Sequence, residues 1–258
     1  MPPAATTQLR TAAATRYVTP LREGGSLPGL IEADDDGMYV AKFTGAGQGP
    51  KALVAEVIVG EIARELGLLV PELIRLEIDP ALGAAEPDPE IQELITASAG
   101  LNLGVDFLPS ALPYAPGAGF TPEPELAADI VWLDALTTNV DRTPRNPNLL
   151  VWHGRLWLID HGAAIYLHHG GLSPESQATK PFAPIREHVL LKAAGSIAEA
   201  HERLAPRLDR ELLDATTALT PREWIGSGTD PETYADYLAR RLDDGGFARE
   251  AEDARRAA

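Results

Sequence analysis

Residues 139–162 read NVDRTPRNPNLLVWHGRLWLIDHG. Asn139 to Asn148 hold two prolines and three asparagines with no apolar period, which predicts a loop. Leu149–Trp152 and Leu156–Ile159 are short apolar runs, predicted as strands. His153-Gly154 supplies the two-residue turn between them, with glycine where a positive φ is needed. A chain folded this way enters and leaves its hairpin at one end. Asn146 and Asp160, distant in sequence, are then able to converge.

Upstream, Leu126, Ile130, Leu133 and Leu136 recur at helical spacing after Pro122 and Pro124, so a helix is predicted over 126–137. The loop after it carries Asp141-Arg142, with Asn146 five residues beyond the Asp. The hairpin then delivers Asp160-His161-Gly162. Phosphoryl transfer from a Mg-nucleotide uses such a set. One carboxylate orients the attacking hydroxyl, while an Asn and a second carboxylate hold the metal against the phosphates. The Asp-to-Asn step followed by Asp-x-Gly after a strand is the spacing that protein kinases use.

The composition is compatible with this chemistry and excludes others. The chain has 258 residues, 45% hydrophobic and 23% charged, enough for a substantial core in one or two lobes. A formal net charge of -16 opposes direct nucleic-acid binding, which requires basic neutralisation, yet leaves room for a local nucleotide site. With no cysteine, disulfides, zinc-thiolate centres and thiol catalysis are excluded. No signal-peptide core and no apolar run of ~18 residues is visible, so no membrane partner is expected and a cytoplasmic location is.

Working outward, residues 1–15 are Ala/Thr/Pro-rich and expected to fray. Strands are predicted at 16–21, 30–32, 38–43, 73–78 and 103–108. A helix is predicted from Pro50, carrying the stripe Leu53, Val54, Val57, Ile58, Ile62 and Leu66 and closed by Gly67. Asp88-Pro89 opens a short helix to about Ser98. Residues 109–124 form a Pro/Gly-rich linker, and the chain from 125 to 258 reads as mainly helical. The expected fold is α+β and two-lobed: a small antiparallel-sheet nucleotide-binding lobe with one helix over 16–108, then a mostly helical catalytic lobe over 125–258. In that order Asp106-Phe107-Leu108 ends the small lobe where the adenine would be met.

Lys42 stands at the end of the apolar run Tyr39-Val40-Ala41-Lys42-Phe43. Only four of the 22 basic residues are lysine (Lys42, Lys51, Lys180 and Lys192), so a generic surface cation here would more often be arginine. A lysine ending a strand before a helix fits a phosphate anchor held by a helix glutamate. Glu56 and Glu61 are both candidates, and about 140° of helix rotation prevents them from facing Lys42 together.

Taken together, Val40-Ala41-Lys42-Phe43, Glu56 ahead of Gly67-Leu68-Leu69-Val70-Pro71, Asn139-Val140-Asp141-Arg142, Asn146 and Asp160 resemble the HipA-like kinase family over roughly residues 16–200. The resemblance implies a protein-kinase-like fold related to the phosphoinositide kinases, with ATP and Mg²⁺ as cofactors and serine or threonine of a protein as acceptor. It also implies, for some members, an antitoxin-like partner. By it Asp141 is the catalytic base, Asn146 and Asp160 are metal ligands, Lys42 is the phosphate anchor and Glu56 its partner. Gly24, Gly25 and Ser26 stand in the phosphate-binding loop, where members can phosphorylate a serine on themselves. The sequence departs from kinase patterns at His161-Gly162, where many have Phe-Gly, and at residues 24–29, which do not form GxGxxG. It also shows no appreciable N-terminal domain of the kind larger toxins use to meet an antitoxin. A regulatory pseudokinase and a small-molecule phosphotransferase on the same fold are the alternatives. The presence of all the polar positions favours an enzyme. His153, His161, His168 and His169 lack ligand spacing for zinc, and Trp132, Trp152 and Trp157 are read as packing residues.

Overall fold

Five short strands close on themselves: β1 (Thr11–Pro20), β2 (Gly29–Ala33), β3 (Met38–Lys42), β4 (Leu73–Ile78) and β5 (Gly100–Asp106), in the order β1-β2-β3-β5-β4. The structure is a computed structural model and describes residues 8–21, 27–226 and 229–258. Alternation of inward apolar residues fills the barrel with Ile31, Tyr39, Ala41, Ile74, Leu76 and Ile78. Burial of each such aliphatic side chain stabilises by about 1.5–3 kcal/mol. Between β4 and β5 the chain makes α2 (Pro89–Ala97), whose Ile91 and Ile95 join this core. Asp88 caps α2 by accepting the Glu90 N–H at 3.0 Å. Gly104 is required where β5 passes Ile74, because a Cβ there would lie 2.7 Å from Ile74 Cγ1.

The small sheet is not purely antiparallel, as the sequence had suggested, and residues 11–15 are not frayed. Thr11, Ala12 and Ala13 pair in parallel with Arg75, Leu76 and Glu77 of β4, and the same strand runs on antiparallel to β2. The two edge strands thereby satisfy each other's backbone groups. Small Ala and Thr side chains carry little strand signal, and a long-range partner makes this segment a strand.

The chain divides into two compact units. One takes the chain up to Val54 with Pro71–Pro109, and the other takes Ala55–Val70 with Ser110–Ala258. Most of α1 (Pro50–Glu65) therefore belongs to the second unit. The centre of that unit is α3 (Pro124–Thr137), buried on nearly every face from Ala127 to Thr137. After β6 (Leu112–Pro113), β7 (Leu149–Trp152) and β8 (Arg155–Leu158), a three-stranded sheet, come α4 (Pro174–Gln177), α5 (Ile197–Leu204), α6 (Arg210–Ala218), α7 (Arg222–Ile225), α8 (Pro231–Asp244) and α9 (Gly246–Ala257). α5, α8 and α9 pack against α3. The fold is α+β.

Candidate functional site

α3 stops where Thr138 turns left-handed, φ +52°, and the loop begins at Asn139. The Asp141 N–H donates to Asn139 Oδ1 at 3.1 Å, and the Thr143 N–H donates to Asp141 O at 2.9 Å. A second turn has the Asn146 N–H on Thr143 O at 3.1 Å. These turns carry the Asn146 amide back to the acid, where Nδ2 donates to Asp141 Oδ2 at 2.7 Å. The five-residue spacing read from the sequence is thus a direct contact.

The hairpin adds the second acid. His153 (φ +47°) and Gly154 (φ +71°) are both left-handed, as a two-residue turn matching strand twist requires. The Ile159 N–H donates to Asn148 O at 3.1 Å, so the pairing continues one step beyond β8. Asp160 follows in the left-handed region, φ +54°, a conformation Asp tolerates better than most residues. Asn148 links the two acids: its Nδ2 lies 3.3 Å from Asp141 Oδ2 and 3.4 Å from Asp160 O. Burial raises the Asp141 pKa, and the nearby Asp160 charge raises it further. The amides of Asn148 and Asn146 act the other way.

From α1, Glu56 reaches the same strand end. It is 2% exposed and its Oε1 accepts the Gly162 N–H at 2.9 Å. Glu61, the other candidate, pairs instead with Arg64 at 3.3 Å. Further along, Arg207 donates to the carbonyls of Leu66 (3.0 Å) and Glu65 (2.6 Å), and the Leu158 N–H donates to Leu69 O at 2.8 Å. The end of α1 is thereby tied to the helical unit that holds Asp141, Asn146 and Asp160.

Lys42 and Asp106-Phe107-Leu108 lie in the barrel unit. Lys42 ends β3 opposite Leu103 of β5. The Phe107 N–H donates to Met38 O at 3.0 Å and is used within the barrel. Burial, followed by the charge of Glu72, raises the pKa of Asp106. Gly24, Gly25 and Ser26 lie outside the described residues.

A family model described as HipA-like kinase matches residues 15–244. The chain belongs to this family. It is therefore a kinase, a phosphotransferase. Among solved structures, the Helicobacter pylori proinflammatory kinase CtkA is similar at 13% identity and a TM-score of 0.54, covering 93% of this chain and 94% of that one. The Golgi casein kinase with Mn/ADP bound aligns at 12% identity and a TM-score of 0.49, over 95% of this chain and 74% of that one. No curated protein matches the chain. The likeness to CtkA shows the kinase fold.

The metal ligands of a HipA-like kinase fit the residues present. With its Nδ2 turned to Asp141, Asn146 aims its carbonyl oxygen away from that carboxylate, and Asp160 would supply a charged oxygen. Few, hard oxygen donors suit Mg²⁺ held jointly with phosphates. Among the described residues no group of three or more His, Asp or Glu could hold a metal. His168 and His169 face each other with Nε2 atoms 3.2 Å apart.

Sequence reading missed Asn148, Asp134 and His188. Asn148 differed from its loop neighbours only in being a third asparagine. Its role depends on φ +49° and on the hairpin bringing Asp160 beside it. Asp134 left a clearer signal, an acid four residues after Ile130 on an apolar helix stripe, where it is fully buried. Burial alone would raise its pKa, but the Arg142 charge and the His188 and Arg142 hydrogen bonds hold it well below the usual carboxylate range. Burial lowers the His188 pKa, and its bond and attraction to Asp134 oppose this only in part.

Proposed function

We propose that this protein is an ATP-dependent kinase that transfers the γ-phosphoryl group to a serine or threonine hydroxyl of a protein. The observation that carries the reading is the Asp141 carboxylate held by the Asn146 and Asn148 amides, with Asp160 close enough to perturb it. Held in this way, Asp141 orients the acceptor hydroxyl in line with the γ-phosphorus and takes its proton as the new O–P bond forms. The bond to the β-phosphate oxygen breaks, ADP leaves, and the proton passes from Asp141 to solvent. Asn146 and Asp160 would hold Mg²⁺, which when bound neutralises phosphate charge. Lys42 would steady the phosphates, Gly24, Gly25 and Ser26 would cover them, and Asp106 to Leu108 would border the adenine. Glu56 orients the strand end through the Gly162 N–H and is the expected partner of Lys42. Among the described residues, no helix is long and apolar enough to cross a membrane.

Incubation with γ-labelled ATP and Mg²⁺ tests this reading. Label on serine or threonine of the protein itself or of lysate proteins is the expected result. Binding without turnover would mean a pseudokinase, and label confined to small molecules would mean a different acceptor. Mg-ATP at ~100 times its dissociation constant should stabilise the fold by about 2.7 kcal/mol. A thermal shift no larger than that from Mg²⁺ alone would remove the nucleotide site.

A further inference from the structure

We infer that Asp134 and His188 are positioning residues for phosphoryl transfer, acting through Arg142 and Asn139; the inference rests on the kinase reading of the Asp141 site. Asp134 projects from α3 with no exposed surface and accepts three hydrogen bonds. Oδ2 accepts from Arg142 Nε at 2.5 Å and from His188 Nε2 at 2.8 Å, and Oδ1 accepts from Asn139 Nδ2 at 3.0 Å.

Each acceptor oxygen leads to the site by a separate route. Through Asn139, whose Oδ1 takes the Asp141 N–H, Asp134 sets the backbone of the acid itself. Through Arg142 it sets both ends of the hairpin, since Arg142 Nη1 donates to Asn148 O and, at 3.4 Å, to Ile159 O. Asn148 holds the Asp141 carboxylate, and Ile159 precedes Asp160. Arg142 Nη2 also donates to His161 Nδ1 at 3.2 Å, on the far side of Asp160. One guanidinium thus spans the residues before and after the proposed metal ligand.

His188 shares Asp134 Oδ2 with Arg142. The Leu190 N–H donates to His188 Nδ1 at 3.1 Å, so Nδ1 is unprotonated and Nε2 carries the proton given to Asp134. The ring is held neutral, in one tautomer. Its neighbour Val189 donates its N–H to Arg142 O at 3.0 Å, closing the loop of contacts. A purely structural ion pair would need only two partners. Here Asn139 and Arg142 lead on to atoms flanking Asp141 or Asp160, and the residue after His188 holds the Arg142 carbonyl.

The test compares wild type with His188→Gln, which keeps an N–H near the Nε2 position, and His188→Leu, which does not. Leu213→Ala, in the core of α6 away from the site, controls for lost stability. Turnover of Mg-ATP is measured together with Mn²⁺ affinity, by electron paramagnetic resonance, in the presence of a non-hydrolysable ATP analogue. His188→Leu should lower kcat about tenfold with KM for ATP little changed, and weaken Mn²⁺ several-fold. His188→Gln should recover most of both, and Leu213→Ala should lower Tm without either effect. Equal behaviour of the Gln and Leu variants, or losses that track Tm alone across all variants, overturns the inference. A wild type that turns over no ATP defeats the kinase reading instead, and the Mn²⁺ comparison still decides the role of His188.

Discussion

Asn146 Nδ2 donates to Asp141 Oδ2 at 2.7 Å, and this bond orients two groups at once. It fixes one carboxylate oxygen of Asp141, and it commits the Asn146 amide nitrogen, leaving the Asn146 carbonyl oxygen pointing away from that carboxylate. Asn148 holds the same Oδ2 from the other side. The acid is presented by amides, so its position does not depend on a charged partner at that oxygen.

Asp141→Asn keeps the size of the side chain and removes its basicity. Nucleotide binding should stay near wild type, while transfer falls about 10²-fold or more. Equilibrium titration with a fluorescent ATP analogue, alongside a phosphotransfer assay, separates the two. Full transfer by the Asn variant would mean that another group receives the proton.

Asp160→Asn is the informative change at the second acid, because Asn also tolerates the left-handed backbone found there, φ +54°. It removes charge without adding strain. Mg-ATP binding and transfer should weaken together, and raising Mg²⁺ should restore part of both. A Mg²⁺ titration of each activity gives the comparison, and an unchanged Mg²⁺ requirement would count against Asp160 as a ligand.

Glu56 and Glu61 should differ sharply. Glu56→Ala leaves the Gly162 N–H without its acceptor and should cut transfer about tenfold or more, whereas Glu56→Gln retains a carbonyl acceptor and should lose less. Glu61→Ala removes the pair with Arg64, and its cost should appear in Tm and not in kcat. A double-mutant cycle with Lys42 should show coupling for Glu56 alone. Coupling for Glu61 in its place would reverse the assignment.

Acid should lower stability over two pH ranges, one for His188 and one for Asp134. His188 has a folded pKa below its unfolded value near 6.5, so the unfolded chain binds more protons and stability falls as pH drops below about 6.5. Asp134 has a folded pKa below its unfolded value near 3.9, so its contribution is present above that value and is lost as pH falls further. Each proton contributes a slope of at most about 1.4 kcal/mol per pH unit. Tm measured from pH 7 to pH 5 should fall for wild type and fall less for His188→Gln, whose amide does not titrate. Identical slopes would show that the ring is not held neutral in the folded state.

The sequence by itself determined what is local. The prolines and asparagines of residues 139–148, the His153-Gly154 turn and two apolar runs placed the hairpin. The Asp141-to-Asn146 spacing became a contact because two tight turns close over so few residues that little else is possible. The stripe from Leu53 to Leu66 and the Asp88-Pro89 cap marked helices by patterns that need no distant partner. Tertiary structure decided the rest. Residues 11–14 become a strand through distant partners, 11–13 on β4 and Ala14 on β2, which the local run Thr-Ala-Ala-Ala does not announce. Helical period alone did not distinguish Glu56 from Glu61, since either could face inward; in the fold Glu56 accepts the Gly162 N–H and Glu61 meets Arg64, contacts that no local pattern announces. Asp134 left only the signal of an acid on an apolar helix stripe, and His188 left none. Burying a carboxylate is favourable only where donors converge on it, and here Asn139 and Arg142 of the following loop are joined by His188, fifty-four residues from Asp134 in the sequence and brought in only by the fold.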